Sequence, residues 1–305
     1  MHVTNGDAVL YLFRKAGIVG TQIAWRDALY EGPVPPGKLE DVSAVRMRYL
    51  NERGYGNPIK TNRAFEVRDA TLRRAQEFDE VVLWFEHDLY DQLQLLQILD
   101  TIAGLDLEPG RVTIVQSDHY LGALDAIELA ALHPKRRTIT DGIVASAQAA
   151  WAAFTCDDPA MLAMFSNEER LGLPHLRAAF ARLCEEYPGR DGLSRSQRQA
   201  LESVARGLAK DDELFRRSQA REEAAFMGDA SFFAVLDELA SGPSPAIEGE
   251  EGARMPTAVG RRLLAGDGDW LESQTLDRYV GGVHLTSGNA WRFDETARRF
   301  IEPAS

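Results

Sequence analysis

Glu80-Val81-Val82-Leu83-Trp84-Phe85-Glu86-His87-Asp88 is the stretch on which the fold turns. Its apolar centre does not alternate, which suits a strand covered on both faces rather than one open to water. From Asp88 to Ile102, Leu89, Leu93, Leu96, Ile98 and Leu99 recur at helical spacing, and Gly104 interrupts them. Arg111-Val112-Thr113-Ile114-Val115-Gln116 reads as the next strand. Strand, helix and strand with a crossover of this length make a βαβ unit, and hence a parallel sheet. The expectation is an α/β fold: an N-terminal doubly wound parallel sheet with helices on both faces.

Towards the N-terminus, residues 2–5 and 21–25 read as strands, and 8–16 as a helix closed by Gly17. Residues 26–38 hold Gly32-Pro33 and Pro35-Pro36-Gly37, and read as too broken for regular structure. Helices are expected over about 40–53 and 63–77. Towards the C-terminus the chain turns helical, with segments at 141–154, 158–165, 176–186, 193–206, 229–239 (Asp229 as N-cap) and 257–264. Residues 219–231 read as a surface helix leading to a turn, and 241–253 as a mobile loop. Residues 283–286 and 290–293 read as a hairpin about Ser287-Gly288-Asn289, making the end winged-helix-like. The organisation expected is an α/β domain over 1–140, a helical connection over 141–190 and a helical, winged-helix-like domain over 191–305.

Composition narrows the function classes. A hydrophobic fraction of 45% in 305 residues can fill a large core. No run reaches the roughly 20 apolar residues that span a bilayer. The start, Met1-His2-Val3-Thr4-Asn5, lacks the basic and apolar blocks of a secretory signal, so a cytoplasmic bacterial-type protein is expected. Cys156 and Cys184 are the only cysteines, too few for a disulfide framework or a cysteine-rich zinc site. The net charge of −13 opposes phosphate binding on average, so it disfavours a nucleic-acid partner. A membrane partner is not expected; a homo-oligomer is compatible with the composition.

Ligands of parallel α/β sheets bind beyond the carboxyl ends of the strands. Four strand ends deliver polar residues there: Asn5-Gly6-Asp7, then Arg26-Asp27 with Glu31 beyond, then Glu86-His87-Asp88, then Ser117-Asp118-His119. Glu86, His87 and Asp27 are the catalytic candidates. Asn5, Gly6, Asp7, Arg26, Glu31, Asp88, Asp118 and His119 are the ligand-binding candidates. Each has a plainer reading. Asp7 and Asp88 open helices, where a carboxylate caps free N–H groups, and Asp91 three residues after Asp88 makes an imperfect capping box. Asp27 suits an Asx-turn. His87 and His119 suit structural or surface positions. Arg26 pairs readily with Asp27 or Glu31, or else grips an anion. Glu86 is hardest to explain away, because a charge directly after an apolar strand is costly unless paired.

Carboxylates without cysteine favour a hard divalent cation such as magnesium. Glu86 or His87 acting as a general base without metal is the alternative. No Walker loop, dinucleotide fingerprint or G-x-S-x-G elbow occurs, and Ala8 stands where a Gly-Asp-Ser esterase block would need serine.

Three blocks, in order, resemble the bacterial domain-of-unknown-function family 1835: His2-Val3-x-Asn5-Gly6-Asp7, Trp25-Arg26-Asp27-x-Leu29-x-Glu31-Gly32-Pro33-Val34-Pro35, and Trp84-Phe85-Glu86-His87-Asp88-Leu89-Tyr90-Asp91-Gln92. Residues 221–229 and 281–285 resemble the C-terminal region that accompanies it. The resemblance covers about residues 1–125 and implies the domain; it implies no reaction. The function expected is an enzyme or binding protein for a small phosphorylated or nucleotide-like molecule. The rival is a ligand-sensing regulator whose winged-helix-like end binds DNA or protein, with Arg195, Arg198 and Arg206 on its most basic helix.

Overall fold

The computed structural model describes residues 1–170 and 172–303. The first half runs β1 (His2–Thr4), α1 (Asp7–Lys15), β2 (Gln22–Ala24), β3 (Gly32–Pro33), α2 (Leu39–Glu52), α3 (Pro58–Leu72), β4 (Val81–Phe85), α4 (Leu89–Ala103), β5 (Val112–Gln116), α5 (Ala126–Leu132) and β6 (Arg137–Thr138). The second runs α6 (Asp141–Thr155), α7 (Ala160–Asn167), α8 (Leu176–Cys184), α9 (Arg195–Ala205), α10 (Asp211–Gln219), α11 (Asp229–Ala240), β7 (Ile247–Glu248), β8 (Met255–Pro256), α12 (Ala258–Leu264) and β9 to β12 (Asp277–Gly281, Val283–Thr286, Arg292–Asp294, Arg299–Ile301).

Every side chain of β4 is buried, and alternate residues serve different cores. Val81, Leu83 and Phe85 join the larger one with Leu93 and Leu96 of α4; Val82 and Trp84 join Val9 and Phe13 of α1 and Leu129 of α5. That division is why the run reads as continuously apolar. The sheet order is β2-β1-β4-β5-β6. The first four strands are parallel, and β6 closes the edge antiparallel. The fold is therefore mixed α/β with helices on both faces of a mostly parallel sheet. α4 is buried on almost all sides because α6 and α8 pack over it.

The larger core also takes in Phe180, Leu201, Phe232 and Val280 from the second half. The two halves meet through main chain as well. Segment 26–38, expected to be irregular, contains β3, which pairs in parallel with β9 (Gly32 with Val280, Pro33 with Gly281). Pro33 is tolerated at this two-residue edge. Gly32 has φ +71°, and the Tyr49 ring occupies the space a Cβ would need.

The expected terminal hairpin forms in a different register. β10 pairs back with β9 through Gly281-Gly282, and β11 pairs forward with β12. Two glycines between strands are themselves a hairpin signal, and the carbonyl oxygens of Phe154 and Thr155 lie where their Cβ atoms would stand. Other expectations shift too. The 241–253 loop contains β7, with Ala246 and Ile247 fully buried. Gly228, not Asp229, is the N-cap of α11. Residues 221–228 are non-helical, with Phe226 and Met227 turned into the core.

α9, the basic helix, is a core helix. Gln197, Gln199, Ala200, Leu201 and Val204 are buried, Arg195 pairs with Glu185 and Glu223, and Arg198 pairs with Asp191. Its start is a reciprocal capping box between Ser194 and Gln197. Ser194→Ala is expected to lower stability by about 1 kcal/mol, read as a shift in the urea midpoint; an unchanged midpoint would remove the cap from the account.

Candidate functional site

β1 and β4 lie side by side where the strand order reverses, the crevice in which doubly wound sheets bind ligands. Asn5 directly follows β1 and Glu86 directly follows β4. The turn from Glu86 to Asp91 is held by its own side chains. Asp88 caps α4 by accepting from the Asp91 backbone amide at 3.1 Å, Asp91 Oδ1 accepts from the Glu86 backbone amide at 2.7 Å, and Gln92 Nε2 donates to the Glu86 carbonyl at 2.6 Å. Across the crevice, Asn5 Nδ2 donates to Asp91 at 2.8 Å and to Glu86 at 3.4 Å. The Leu121 amide, beyond β5, donates to Glu86 Oε1 at 2.7 Å.

Three carboxylates thus converge, with one oxygen from each lying within 4.8 Å of the others. Glu86 is 3% exposed, Asp88 4% and Asp91 0%. Among the described residues, no Lys, Arg or His pairs with any of the three within 4.0 Å. Burial, reinforced by the Asp88 charge, pushes Glu86 up to about 7. Burial pushes Asp88 up to about 6. Asp91 is raised well above the usual range, by burial first and then by its two acidic neighbours. The amides at the start of α4 offset part of this charge but supply no counter-ion.

A groove of about 580 Å³ opens beside the loops that follow β1 and β2; it reaches the start of α4 through Tyr90, and none of the three carboxylates lines it. Tyr90, between Asp88 and Asp91 in chain order, lines it, as do Asp7 and Arg26 from the ends of β1 and β2. Its far wall is the first turn of α3, with Asn57, Lys60 and Thr61. A helix N-terminus with a lysine in its first turn is suited to an anion. Arg26 is a non-glycine residue at φ +50°, a conformation that costs energy. It grips the exposed Asp7 at 2.9 and 2.5 Å.

No family model matches the chain, and no curated protein matches it.

The structure brings together Asn5, Glu86 and Asp88, and sets Gly6, Asp7 and Arg26 at the adjoining rim. Gly6 is the N-cap of α1, with open space where a Cβ would stand. Asp27 is not at the rim. It lies fully buried between Arg46 (2.9 Å) and Arg68 (3.6 Å), because a loop crossing the core needs its charges neutralised. Glu31 lines a separate cavity on the seam between the halves. His87 is half-buried beside the Tyr120 ring (centroids 5.2 Å) and His175 (6.2 Å). Asp118 is exposed and lies 3.6 Å from His175 Nε2. His119 is exposed, its amide held by Ser117 Oγ at 3.1 Å.

Asp91, Lys60 and His175 belong to these surroundings but were not among the candidates. Asp91 left a trace, its i+3 spacing from Asp88. Lys60 and His175 left none, because only tertiary packing brings α3 and α8 to this edge.

Proposed function

We propose that this chain binds and acts on a small phosphorylated or nucleotide-like molecule at the carboxyl edge of its sheet, with a hard divalent cation such as magnesium. The observation that carries the reading is the set of three buried carboxylates at the strand-order reversal, with no basic partner among the described residues. Buried charges of one sign must take up protons or a cation. Oxygen-only donors suit magnesium or manganese. Glu86, Asp88 and Asp91 would hold the cation, and Asn5 would orient Glu86 and Asp91. Such an ion, when bound, neutralises phosphate charge and polarises a phosphoryl oxygen. The start of α3, Lys60 and Arg26 would take the remaining phosphate oxygens, with Arg26 exchanging Asp7 for the ligand. His87, at the same edge, is placed to carry a proton.

The blocks that resemble family 1835 meet around this site: Asn5 comes from the first, Arg26 from the second and Glu86, Asp88 and Asp91 from the third. That supports reading them as one functional unit. The setting we propose is the bacterial cytoplasm. Both cysteines are free, and no described helix is long and apolar enough to cross a membrane.

The test is a titration of Mg²⁺ and Mn²⁺ into metal-free protein, followed by melting temperature and by the Mn²⁺ paramagnetic resonance signal. Saturation at about a hundred times Kd is expected to stabilise the fold by about 2.7 kcal/mol. Asp91→Asn should remove most of that gain. Nucleoside phosphates added with the cation should raise the melting point further, and less so in Lys60→Ala. Wild-type protein that retains no Mn²⁺ and shows no shift at 10-millimolar order of cation ends the reading.

A further inference from the structure

Away from the sheet edge, a cavity of about 470 Å³ opens on the seam where α2 and the β3 segment meet α11 and β9. Glu31 forms part of its inner wall. One carboxylate oxygen, Oε1, accepts from Ser231 Oγ at 2.6 Å. The other, Oε2, receives only long contacts from the Tyr49 and Tyr55 hydroxyls, at 3.4 and 3.3 Å. Arg46 runs close by and donates to the Glu31 carbonyl at 2.7 Å, but its charge is matched by Asp27. Among the described residues, no cation lies within 4.0 Å of the Glu31 carboxylate.

The mouth shows the opposite imbalance. Arg48 and Arg53, at the end of α2, are exposed and line the cavity; neither has a carboxylate within 4.0 Å among the described residues, and Arg53, held by the Tyr55 hydroxyl, attracts the Glu31 charge from beyond contact distance. The other acids of the wall are engaged or outside: Glu186 with Arg182, Glu238 with the Gln197 amide, Asp277 with His284, and Glu52 on the exposed rim.

The Ser231 contact has a structural role of its own. Tyr30 bonds Ser231 at 2.9 Å and accepts from the Gly228 amide at 3.1 Å, so this strut ties the halves together. It uses Oε1 and leaves Oε2 with only the two long phenol contacts. A half-satisfied carboxylate on the wall of a ligand-sized cavity favours a charge-assisted donor from the ligand. Guanidinium groups at the mouth favour a carboxylate. One small molecule satisfies both if it carries an ammonium group at one end and a carboxylate at the other.

We infer that the seam cavity binds an amino-acid-like zwitterion, its ammonium group on the Glu31 carboxylate beside the Tyr49 phenol and its carboxylate on Arg48 and Arg53. Tyr30, Ser231 and Glu31 belong to the tie between the halves, so occupancy tightens the seam.

The experiment screens the twenty free L-amino acids against the full chain by thermal shift, then measures hits by calorimetry. The amide and N-acetyl derivative of each hit are run alongside. The expected result is saturable binding of at least one free amino acid, weakened tenfold or more when either charged end is blocked. Arg53→Gln lies at the exposed mouth and should leave the melting point of the free protein unchanged while weakening binding about tenfold. Glu31→Gln should abolish binding; if that variant melts early, Arg53→Gln alone decides. Absence of saturable binding by every amino acid, or binding indifferent to Arg53→Gln and to the blocked ends, overturns the inference.

Discussion

Asp27→Asn is expected to destabilise the protein by roughly 3–5 kcal/mol, a loss on the order of 10 °C in melting temperature for a chain of this size. The reason is the company this aspartate keeps. Arg46 is fully buried and Arg68 nearly so, and Asp27 is the one carboxylate they share. Arg68 also leans on Asp69 at 3.1 Å and stacks over the Phe65 and Trp25 rings at 3.7 and 4.3 Å. Among the described residues, Arg46 has no second acid within 4.0 Å, only the carbonyls of Ala28, Glu31 and Pro33. Removing the Asp27 charge leaves Arg46 buried without a counter-ion, which costs far more than the lost contact itself. The control is Asp7→Asn. That residue pairs with Arg26 in the open, where exposed pairs contribute about 0–1 kcal/mol. Equilibrium urea unfolding of both variants makes the comparison. Equal midpoints would mean that Asp27 is not the keystone of its loop.

In metal-free solution, Glu86→Gln is expected to be less stable than or equal to wild type near pH 5 and to gain on it as the pH rises to 8. Glu86 is raised from 4.5 to about 7 in the fold. The native state therefore holds its proton more tightly than the unfolded chain does. The stability this contributes is complete below about pH 4.5 and is lost as pH climbs through 7. A displacement of that size corresponds to roughly 3 kcal/mol, spread over carboxyls that titrate together. His2, His87 and His175 are lowered by burial and act in the other direction below about pH 6.5. The difference between variant and wild type cancels their contribution, so that difference is the quantity to follow. Magnesium at pH 8 should return the wild type to its low-pH stability and do little for the variant. A difference that stays flat from pH 5 to 8 would show that Glu86 is ionised throughout.

How much of this was legible in the sequence depended on whether the signal was local. β4, α4 and β5 announce themselves because a strand buried on two faces must be apolar at consecutive positions, and Val81 to Phe85 is. Asn5 and Glu86 could be brought together from sequence because parallel strands put their ends at one edge. Asp27 follows a strand just as Glu86 does, yet it turns inward. What decides its direction is the pair Arg46 and Arg68 on α2 and α3, and nothing near residue 27 encodes them. Glu31 was separated from the sheet edge by β3, a pairing whose partner lies in the last tenth of the chain. The terminal hairpin pairs differently from expectation because Ser287-Gly288-Asn289 looks like a turn, while the tighter Gly281-Gly282 turn joins the longer strands β9 and β10.

The β3–β9 pairing also sets a schedule. Gly32 leaves the ribosome about 250 residues before Val280, and at roughly 5–20 residues per second that interval is on the order of 10–50 s. Through it, the segment carrying Arg26 and Glu31 lacks its hydrogen-bonding partner, although the sheet beside it is already synthesised. Contacts so distant in sequence form late and slowly. A nascent chain therefore completes its first strands, and every residue that lines the sheet-edge groove, well before it can shape the seam cavity, which is finished only when β9 arrives.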